Sequence, residues 1–136
     1  MLKLTVKNKL TAMHKCYCDT GLQFENCCGL YLEKKQKAPT ALALMRSRYS
    51  AYATHNAEYL LQTTYVSERE YYSKSEILKW ATANKWQKLE ILSFTEDTVE
   101  FKAYFLDSNN KPQTHYEFST FKFEENEWFY VDGKFE

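Results

Sequence analysis

The sequence predicts an α+β protein: a small four-cysteine zinc knuckle, followed by about three helices packed on an antiparallel sheet of about four strands. Three observations support this class. All four cysteines lie between positions 16 and 28, apolar residues recur with a helical period over positions 40–83, and the period falls to two from Trp86 onward. Helices that precede a run of short, turn-linked strands are typical of α+β proteins.

Length and composition limit the classes of protein that fit. A chain of 136 residues fits one domain, or one small domain with an appendage. The 18 basic and 18 acidic side chains cancel, which argues against a nucleic-acid binder with a cationic surface. The first fifteen residues carry four lysines and no signal-peptide core, and no stretch reaches the ~20 apolar residues of a membrane span. We expect a soluble, cytoplasmic protein, with neither nucleic acid nor a membrane among its partners.

The cysteines come first along the chain. Cys16 and Cys18 are followed, after eight residues, by Cys27 and Cys28. Disulfides within so short a segment would close only small loops, where the entropic benefit of a bridge is least. Four thiolates at this spacing instead predict a structural site for one Zn²⁺ per chain. Disulfides and free thiols are the alternatives, and His14 is a further candidate for a ligand.

The cysteine segment is similar to the SEC-C motif, a short zinc-binding tail first described on the preprotein translocase ATPase. Positions 16–29 read CYCDTGLQFENCCG, with the four ligands, the turn glycine and an aromatic residue in the places of the motif. The proline and the basic pair of the motif are replaced, so the resemblance implies zinc binding without the cationic docking face. Because the segment is short, we expect zinc loss to unfold only positions 14–30.

Three helices are predicted next, at positions 40–55, 57–61 and 74–83. The longest one carries an apolar stripe with helical spacing, made of Leu42, Met45, Tyr49 and Tyr52. The shortest one has Asn56 as its cap, and the last one starts behind a capping box, Ser73 to Glu76.

Four strands follow, at positions 86–93, 98–106, 113–123 and 127–132. They are rich in aromatic and β-branched residues, and the segments between them are short and polar. One face of the second strand is apolar and consists of Val99, Phe101, Ala103 and Phe105. The pattern therefore predicts an antiparallel meander whose apolar face the helices cover.

Two further segments carry a family resemblance. Positions 44–52 read LMRSRYSAY, and the last strands contain EFSTF at 117–121 and WFYVDG at 128–133. Together with the cysteine motif, these segments are similar to the YchJ-like family over nearly the whole chain. The family name brings no settled activity with it.

This resemblance implies a division of the chain. Positions 1–32 would hold an N-terminal extension and the SEC-C zinc motif, and positions 33–136 a nuclear-transport-factor-two-like domain. Such a domain packs its helices on a strongly bent sheet in the shape of a cone. Many relatives carry a second SEC-C motif at the carboxyl end, which these 136 residues do not contain.

Domains of this type usually enclose a pocket between helices and sheet. The polar side chains expected to point into it are those of Arg46, Arg48, Tyr65, His115, Glu117, Trp128 and Asp132. A structural ion pair, a ligand-binding site and acid–base chemistry are three interpretations of this set. We assign no catalytic residue.

The two arginines cannot both face the sheet. Arg46 and Arg48 lie about 200° apart around a helix. We expect the inner one to pair with Glu117 or Asp132, since an unpaired buried charge is costly, and the outer one to meet solvent or the zinc module.

Two functions fit these patterns. In the first, the zinc knuckle docks a protein partner and the chain serves as an adaptor. In the second, the pocket of the cone binds a small molecule or performs acid–base chemistry. A third possibility, an RNA- or ribosome-associated factor, is disfavoured by the neutral charge and by the acidic stretch at 124–127.

Overall fold

The computed structural model describes residues 14–135, so the N-terminal extension at positions 1–13 lies outside the described part. The helices are α1 (Gly29–Leu32), α2 (Ala41–Ala53), α3 (Ala57–Gln62) and α4 (Lys74–Ala83). The strands are β1 (Lys85–Phe94), β2 (Thr98–Leu106), β3 (Pro112–Glu124) and β4 (Glu127–Phe135). Two 3-10 turns, Phe24–Asn26 and Val66–Tyr71, complete the elements of this part of the chain.

The predicted class is confirmed. The four strands form one antiparallel sheet in the order β1-β2-β3-β4, and helices precede it along the chain. Breaks in the strand register occur twice between β1 and β2 and once between β3 and β4. Such bulges locally bend a strand and increase its twist.

Local signals explain the helix starts. The side chains of Thr40, Asn56 and Ser73 each accept a hydrogen bond from the backbone N–H three residues later. These caps satisfy N–H groups that have no partner within the helix. The predicted bounds of α4 agree with the structure, whereas α2 ends at Ala53, two residues earlier than expected.

Helix α2 is enclosed more completely than its apolar stripe predicts. Leu42 and Tyr52 are only half-buried, whereas Ser47 and Ser50 are fully buried. The reason is that α2 is covered on two sides, because it packs on the sheet and also against the cysteine segment.

The cysteine segment is fastened to the rest of the molecule by polar contacts. Arg46 Nη1 donates a hydrogen bond to the Cys18 carbonyl oxygen over 2.7 Å. The Leu89 backbone N–H in β1 donates to Asp19 Oδ2 over 2.9 Å. Cys16 and Cys28 also belong to the same buried cluster as residues of α2 and of the sheet. Cysteine segment and cone therefore share one core.

Helix α2, with 13 residues, is the longest helix between positions 14 and 135, and no helix there is long and apolar enough to cross a membrane.

Candidate functional site

The four cysteines converge on one point. Their Sγ atoms all lie within 4.8 Å of one another, and the Cys18 and Cys27 sulfurs are 3.6 Å apart. A tetrahedral zinc–thiolate site with bonds of about 2.3 Å places its sulfurs about 3.8 Å apart. None of the four forms a disulfide. The cysteines are thus positioned to hold a metal ion.

A hairpin brings the first two cysteines into place. The Cys16 N–H donates to the Leu22 carbonyl over 2.8 Å, and the chain reverses between them. Asp19 and Gly21 take positive φ values of 65° and 85° in this turn. Aspartate tolerates that region better than most side chains, and glycine adopts it freely.

The second pair sits at the start of α1, directly after the 3-10 turn Phe24–Asn26. Here the chain needs a glycine, since a Cβ at Gly29 would lie 2.7 Å from the Phe24 carbonyl oxygen. The residues between the two pairs thus determine the geometry of the cluster as much as the cysteines do.

The polar contacts of the thiols come from each other and from two hydroxyl groups. Hydrogen bonds with Cys18 and Cys28 lower the pKa of Cys16, whereas burial raises the pKa of Cys27 to about 11. The hydroxyls of Ser50 and Thr20 lie 3.5 and 3.3 Å from Cys16 Sγ and Cys27 Sγ, respectively. A metal cation would supply the positive charge that lets all four thiols ionise together.

A cavity of about 240 Å³ lies on the other side of α2, between α2, α4 and the sheet. Eight of the residues that line it are aromatic, among them Trp80, Trp86, Phe101 and Tyr130. Its polar lining includes Arg48, His115 and Glu117. The site is therefore an apolar chamber with a few charged groups, which is the usual composition of small-molecule sites.

Glu117 is buried and accepts three hydrogen bonds. His115 Nε2 lies 2.9 Å from Oε1, while Ser119 Oγ and the Tyr130 hydroxyl donate to Oε2 over 2.5 and 2.8 Å. Burial alone would raise the pKa of this carboxyl, but the bonds from the three neighbours outweigh it, and the pKa lies below its usual value.

Tyr130 stays protonated beside that carboxylate. Burial, and then the negative charge of Glu117, raise the pKa of the Tyr130 phenol well above its usual value. The phenol is therefore a permanent hydrogen-bond donor near neutral pH.

The predicted ion pair of an inner arginine with Glu117 or Asp132 is wrong. Arg48 is the inner arginine, 7% exposed, but within the described chain no carboxylate lies within 4.0 Å of it. Its Nη1 donates instead to the Leu60 carbonyl oxygen over 2.8 Å and to Thr63 Oγ1 over 2.7 Å. The guanidinium carbon lies 4.4 Å from the centre of the Tyr130 ring, so this ring takes the place expected for a carboxylate.

Backbone pairing holds Tyr130 in that place. Its N–H donates to the Thr63 carbonyl over 2.8 Å, and its carbonyl accepts from the Tyr65 N–H over 2.7 Å. The segment after α3 thus pairs with β4 through a short parallel bridge at Thr64. This segment positions both the Tyr130 ring and the groups that accept hydrogen bonds from Arg48.

The other predicted pocket residues separate into two groups. Arg48, His115 and Glu117 line the cavity, whereas Arg46, Tyr65, Trp128 and Asp132 do not. Arg46 instead contacts the cysteine segment. The Tyr65 hydroxyl donates to Glu124 over 3.1 Å, and Trp128 Nε1 donates to the Pro39 carbonyl over 3.3 Å.

A bulge explains where Asp132 lies. In the sequence, Tyr130 and Asp132 have the same strand parity. In β4 the register shifts at this point, since Phe121 pairs with Tyr130 and the adjacent Thr120 pairs with Asp132. The shift leaves Tyr130 inside and Asp132 exposed, where it accepts a hydrogen bond from Thr120 over 2.5 Å.

Besides the aromatic wall, sequence reasoning missed two residues beside Glu117. One is Tyr130, which shares its strand parity with Asp132 in the sequence and is separated from it only by the bulge. The other is Gly133, where a Cβ would overlap the carboxyl group of Glu117. A glycine inside a strand often marks such a close approach, and this signal was available in the sequence.

The fold and the site define a class: a nuclear-transport-factor-two-like domain joined to a cysteine motif of the SEC-C type. The family model described as "YchJ, middle NTF2-like domain" matches residues 40–133. The chain is 34% identical over 125 residues to a UPF0225 protein of Geobacter sulfurreducens, covering 87% of the chain and 77% of that protein. A UPF0225 protein of Actinobacillus succinogenes is 35% identical over 127 residues, with 89% and 82% covered.

Solved structures agree with this assignment. The solution structure of a SEC-C motif containing protein from Rhodopseudomonas palustris matches with a TM-score of 0.81 and 32% identity, covering 88% of this chain and 96% of that one. The crystal structure of a SEC-C motif containing protein from Psychrobacter arcticus gives 0.77 and 29%, covering 90% and 83%. The chain belongs to the YchJ-like family, as the sequence motifs predicted.

Proposed function

We propose that this protein binds small molecules in the cavity of its cone, and that one structural Zn²⁺ on the four cysteines stabilises the fold. The observation that carries the proposal is the cavity itself: about 240 Å³, mainly aromatic, with Arg48 and Glu117 in its wall. Few charged groups in an apolar chamber orient a ligand, while the aromatic surface supplies affinity.

Zinc is the metal that the donor set favours. Four thiolates in a closed, mostly buried site match structural zinc, and calcium or magnesium would require oxygen ligands. Unbridged cysteines also suit the reducing cytoplasm, where we place the protein. Titrating the metal-free protein with Co²⁺ tests the site: tetrahedral thiolate coordination gives intense thiolate-to-metal absorption, and added Zn²⁺ should abolish it. Spectra of octahedral cobalt would contradict the assignment.

The cavity proposal can be tested by screening compact aromatic fragments against the isotope-labelled protein by NMR. Binding fragments should shift the signals of Ala103 and the Trp86 indole, both in the cavity wall. A matched variant, Ala103→Leu, adds volume inside the chamber and should weaken those same fragments. Shifts confined to the outer surface, or equal affinity in the variant, would contradict the proposal.

Acid–base catalysis is less well supported by the same site. The three hydrogen bonds that hold the pKa of Glu117 low also make this carboxylate a weak base near neutral pH. A general base works best when its pKa lies near the working pH. We therefore propose binding, with no catalytic residue.

A protein-docking role for the cysteine segment is the second candidate. It is favoured by two exposed apolar side chains on that segment, Leu22 (55% exposed) and Tyr17 (36% exposed). Their replacement by aspartate should leave the cysteines and the fold intact while abolishing capture of a specific partner. Capture that is unchanged in this double variant would contradict the adaptor role.

A further inference from the structure

Arg48 holds more hydrogen-bond donors than residues 14–135 use. A guanidinium has five N–H groups, and all the hydrogen bonds of Arg48 within the described chain come from Nη1. No fully buried nitrogen or oxygen of a side chain in that part of the protein lacks a partner. Within the described part of the chain nothing accepts a hydrogen bond from Nε or Nη2, so these groups face accessible space, although the residue is 93% buried. Since Arg48 lines the cavity, that space is the cavity.

The charge of Arg48 also forms no ion pair with any residue from 14 to 135. The nearest group on its flank is the Tyr130 ring, and no carboxylate of residues 14–135 lies within 4.0 Å. A buried charge without a carboxylate in contact with it is costly, so an anion placed against Arg48 gains more than it would at the surface.

Glu117, the acidic group in the same wall, has its hydrogen bonds already. It accepts from His115, Ser119 and Tyr130, and these donors stabilise its negative charge. A ligand cation at Glu117 would compete with three donors, whereas a ligand anion at Arg48 would meet the unused N–H groups of Nε and Nη2, three in all. The wall therefore favours an anionic ligand over a cationic one.

We propose that the cavity binds a small organic acid, with its carboxylate on Nε and Nη2 of Arg48 and its apolar body against the aromatic wall. This inference rests on the small-molecule binding proposed above and specifies its ligand class. The planar fork of arginine matches a carboxylate with two parallel hydrogen bonds. A chamber of about 240 Å³ lies below the ~300–1,000 Å³ of drug-sized sites, so the acid is compact, such as one ring with a short carboxylate arm.

Three probes with one body and different head groups test this inference: phenylacetate, phenylacetamide and phenethylamine. We expect phenylacetate to bind at least tenfold more tightly than the neutral amide, and the amine to bind no more tightly than the amide. Arg48→Met should reduce the preference for the acid to about twofold or less. Arg46→Met, two residues earlier on the same helix but directed at the cysteine segment, should keep it.

A second measurement applies even if Arg48→Met does not fold. The chain has only three arginines, at positions 46, 48 and 69, so their Nε–H signals in the wild-type spectrum are few. Phenylacetate should shift the Arg48 signal and leave that of Arg46 in place, and phenylacetamide should shift neither.

The outcomes separate the two proposals. If the amide or the amine binds in the cavity as tightly as the acid, the inference is wrong and small-molecule binding stands. If the acid binds without moving the Arg48 signal, the inference is likewise wrong. If no probe binds at millimolar concentration and the fragment screen also finds no cavity ligand, both proposals are overturned.

Discussion

Two buried polar clusters lie on either side of α2, and they differ in how their charges are satisfied. In the cysteine cluster, the sulfurs lie within 4.8 Å of one another and contact each other and two hydroxyl groups, those of Thr20 and Ser50. In the second cluster, the Glu117 carboxylate accepts hydrogen bonds from three different side chains. The first cluster needs a cation to bring four thiolates together, whereas the second is complete within the protein. Four thiols that converge on one point indicate a metal site, whereas a carboxylate surrounded by hydrogen-bond donors indicates a complete hydrogen-bond network.

The largest effect is expected from removing metal ligands. In Cys16→Ser combined with Cys28→Ser, zinc affinity should collapse, and the free energy of unfolding should fall by more than about 4 kcal/mol, beyond the usual range for single substitutions. The reason is that both cysteines lie in the core shared with α2 and the sheet. This shared core alters the expectation that zinc loss unfolds positions 14–30 alone.

Denaturant unfolding followed by tryptophan fluorescence measures this, because Trp80 and Trp86 report on the cone. His14→Ala is the control: it removes a neighbouring potential ligand and should keep the metal. A cone that unfolds at the wild-type midpoint in the cysteine variant would show that the two regions are independent.

The next largest effect is expected from Gly133→Ala, which disturbs the hydrogen bonds of Glu117. A methyl group there would overlap the Glu117 carboxyl, so Gly133→Ala must push a hydrogen-bonded carboxylate aside. We expect a loss of about 1–3 kcal/mol, as for overpacking elsewhere. In a Glu117→Ala background the obstacle is gone, and the same substitution should cost much less. Additive effects in this double-mutant cycle would contradict the close approach.

The charge of Glu117 can be tested through pH. The pKa of Glu117 is lower in the folded protein than in the unfolded chain, where it is about 4.3. Its contribution to the free energy of unfolding is therefore fully present above about pH 4.3 and is lost as the pH falls through the folded pKa. Wild type should exceed Glu117→Gln in stability by about 1.5–3 kcal/mol at pH 6, and this gap should narrow below pH 4. Metal release in acid affects both proteins and cancels in the difference. Urea unfolding at each pH measures the gap, and the exposed Glu70→Gln should show none.

The smallest effect concerns the contact between the cysteine segment and β1. Asp19→Ala removes the acceptor for the Leu89 N–H and places alanine at a φ of 65°, so we expect a loss of about 1–2 kcal/mol. Asp19→Asn keeps an acceptor and tolerates that backbone region, so it should lose less than half as much. Equal losses in the two variants, measured by thermal or urea unfolding, would contradict this account.

The sequence predicted those parts of the molecule that depend on local patterns. The alternation of apolar and polar residues from Thr98 to Leu106 matches the bounds of β2 in the structure. The capping box at Ser73 matches the start of α4. The four cysteines were likewise recognisable, because their ligand chemistry and spacing lie within one short segment.

What could not be predicted depends on contacts between distant elements. One bulge in β4 separates Tyr130 from Asp132, and strand parity alone does not reveal it. The aromatic wall of the cavity comes from α2, α4 and several strands, so no single stretch shows its pattern. The bulge and the packing of distant elements together place the Tyr130 ring beside Arg48. Because the ring lies there, Arg48 forms no ion pair with a carboxylate of the described residues.

The central contrast is tested most directly by the metal content of the protein, purified without chelators and measured by elemental analysis. We expect one zinc per chain in the wild type and less than a tenth of that in Cys16→Ser combined with Cys28→Ser. The ratio of zinc to protein should be unchanged in Glu117→Gln, because this carboxylate is not among the expected metal ligands. A wild-type protein that is folded, fully reduced and free of zinc, with four thiols that titrate freely, would contradict this expectation.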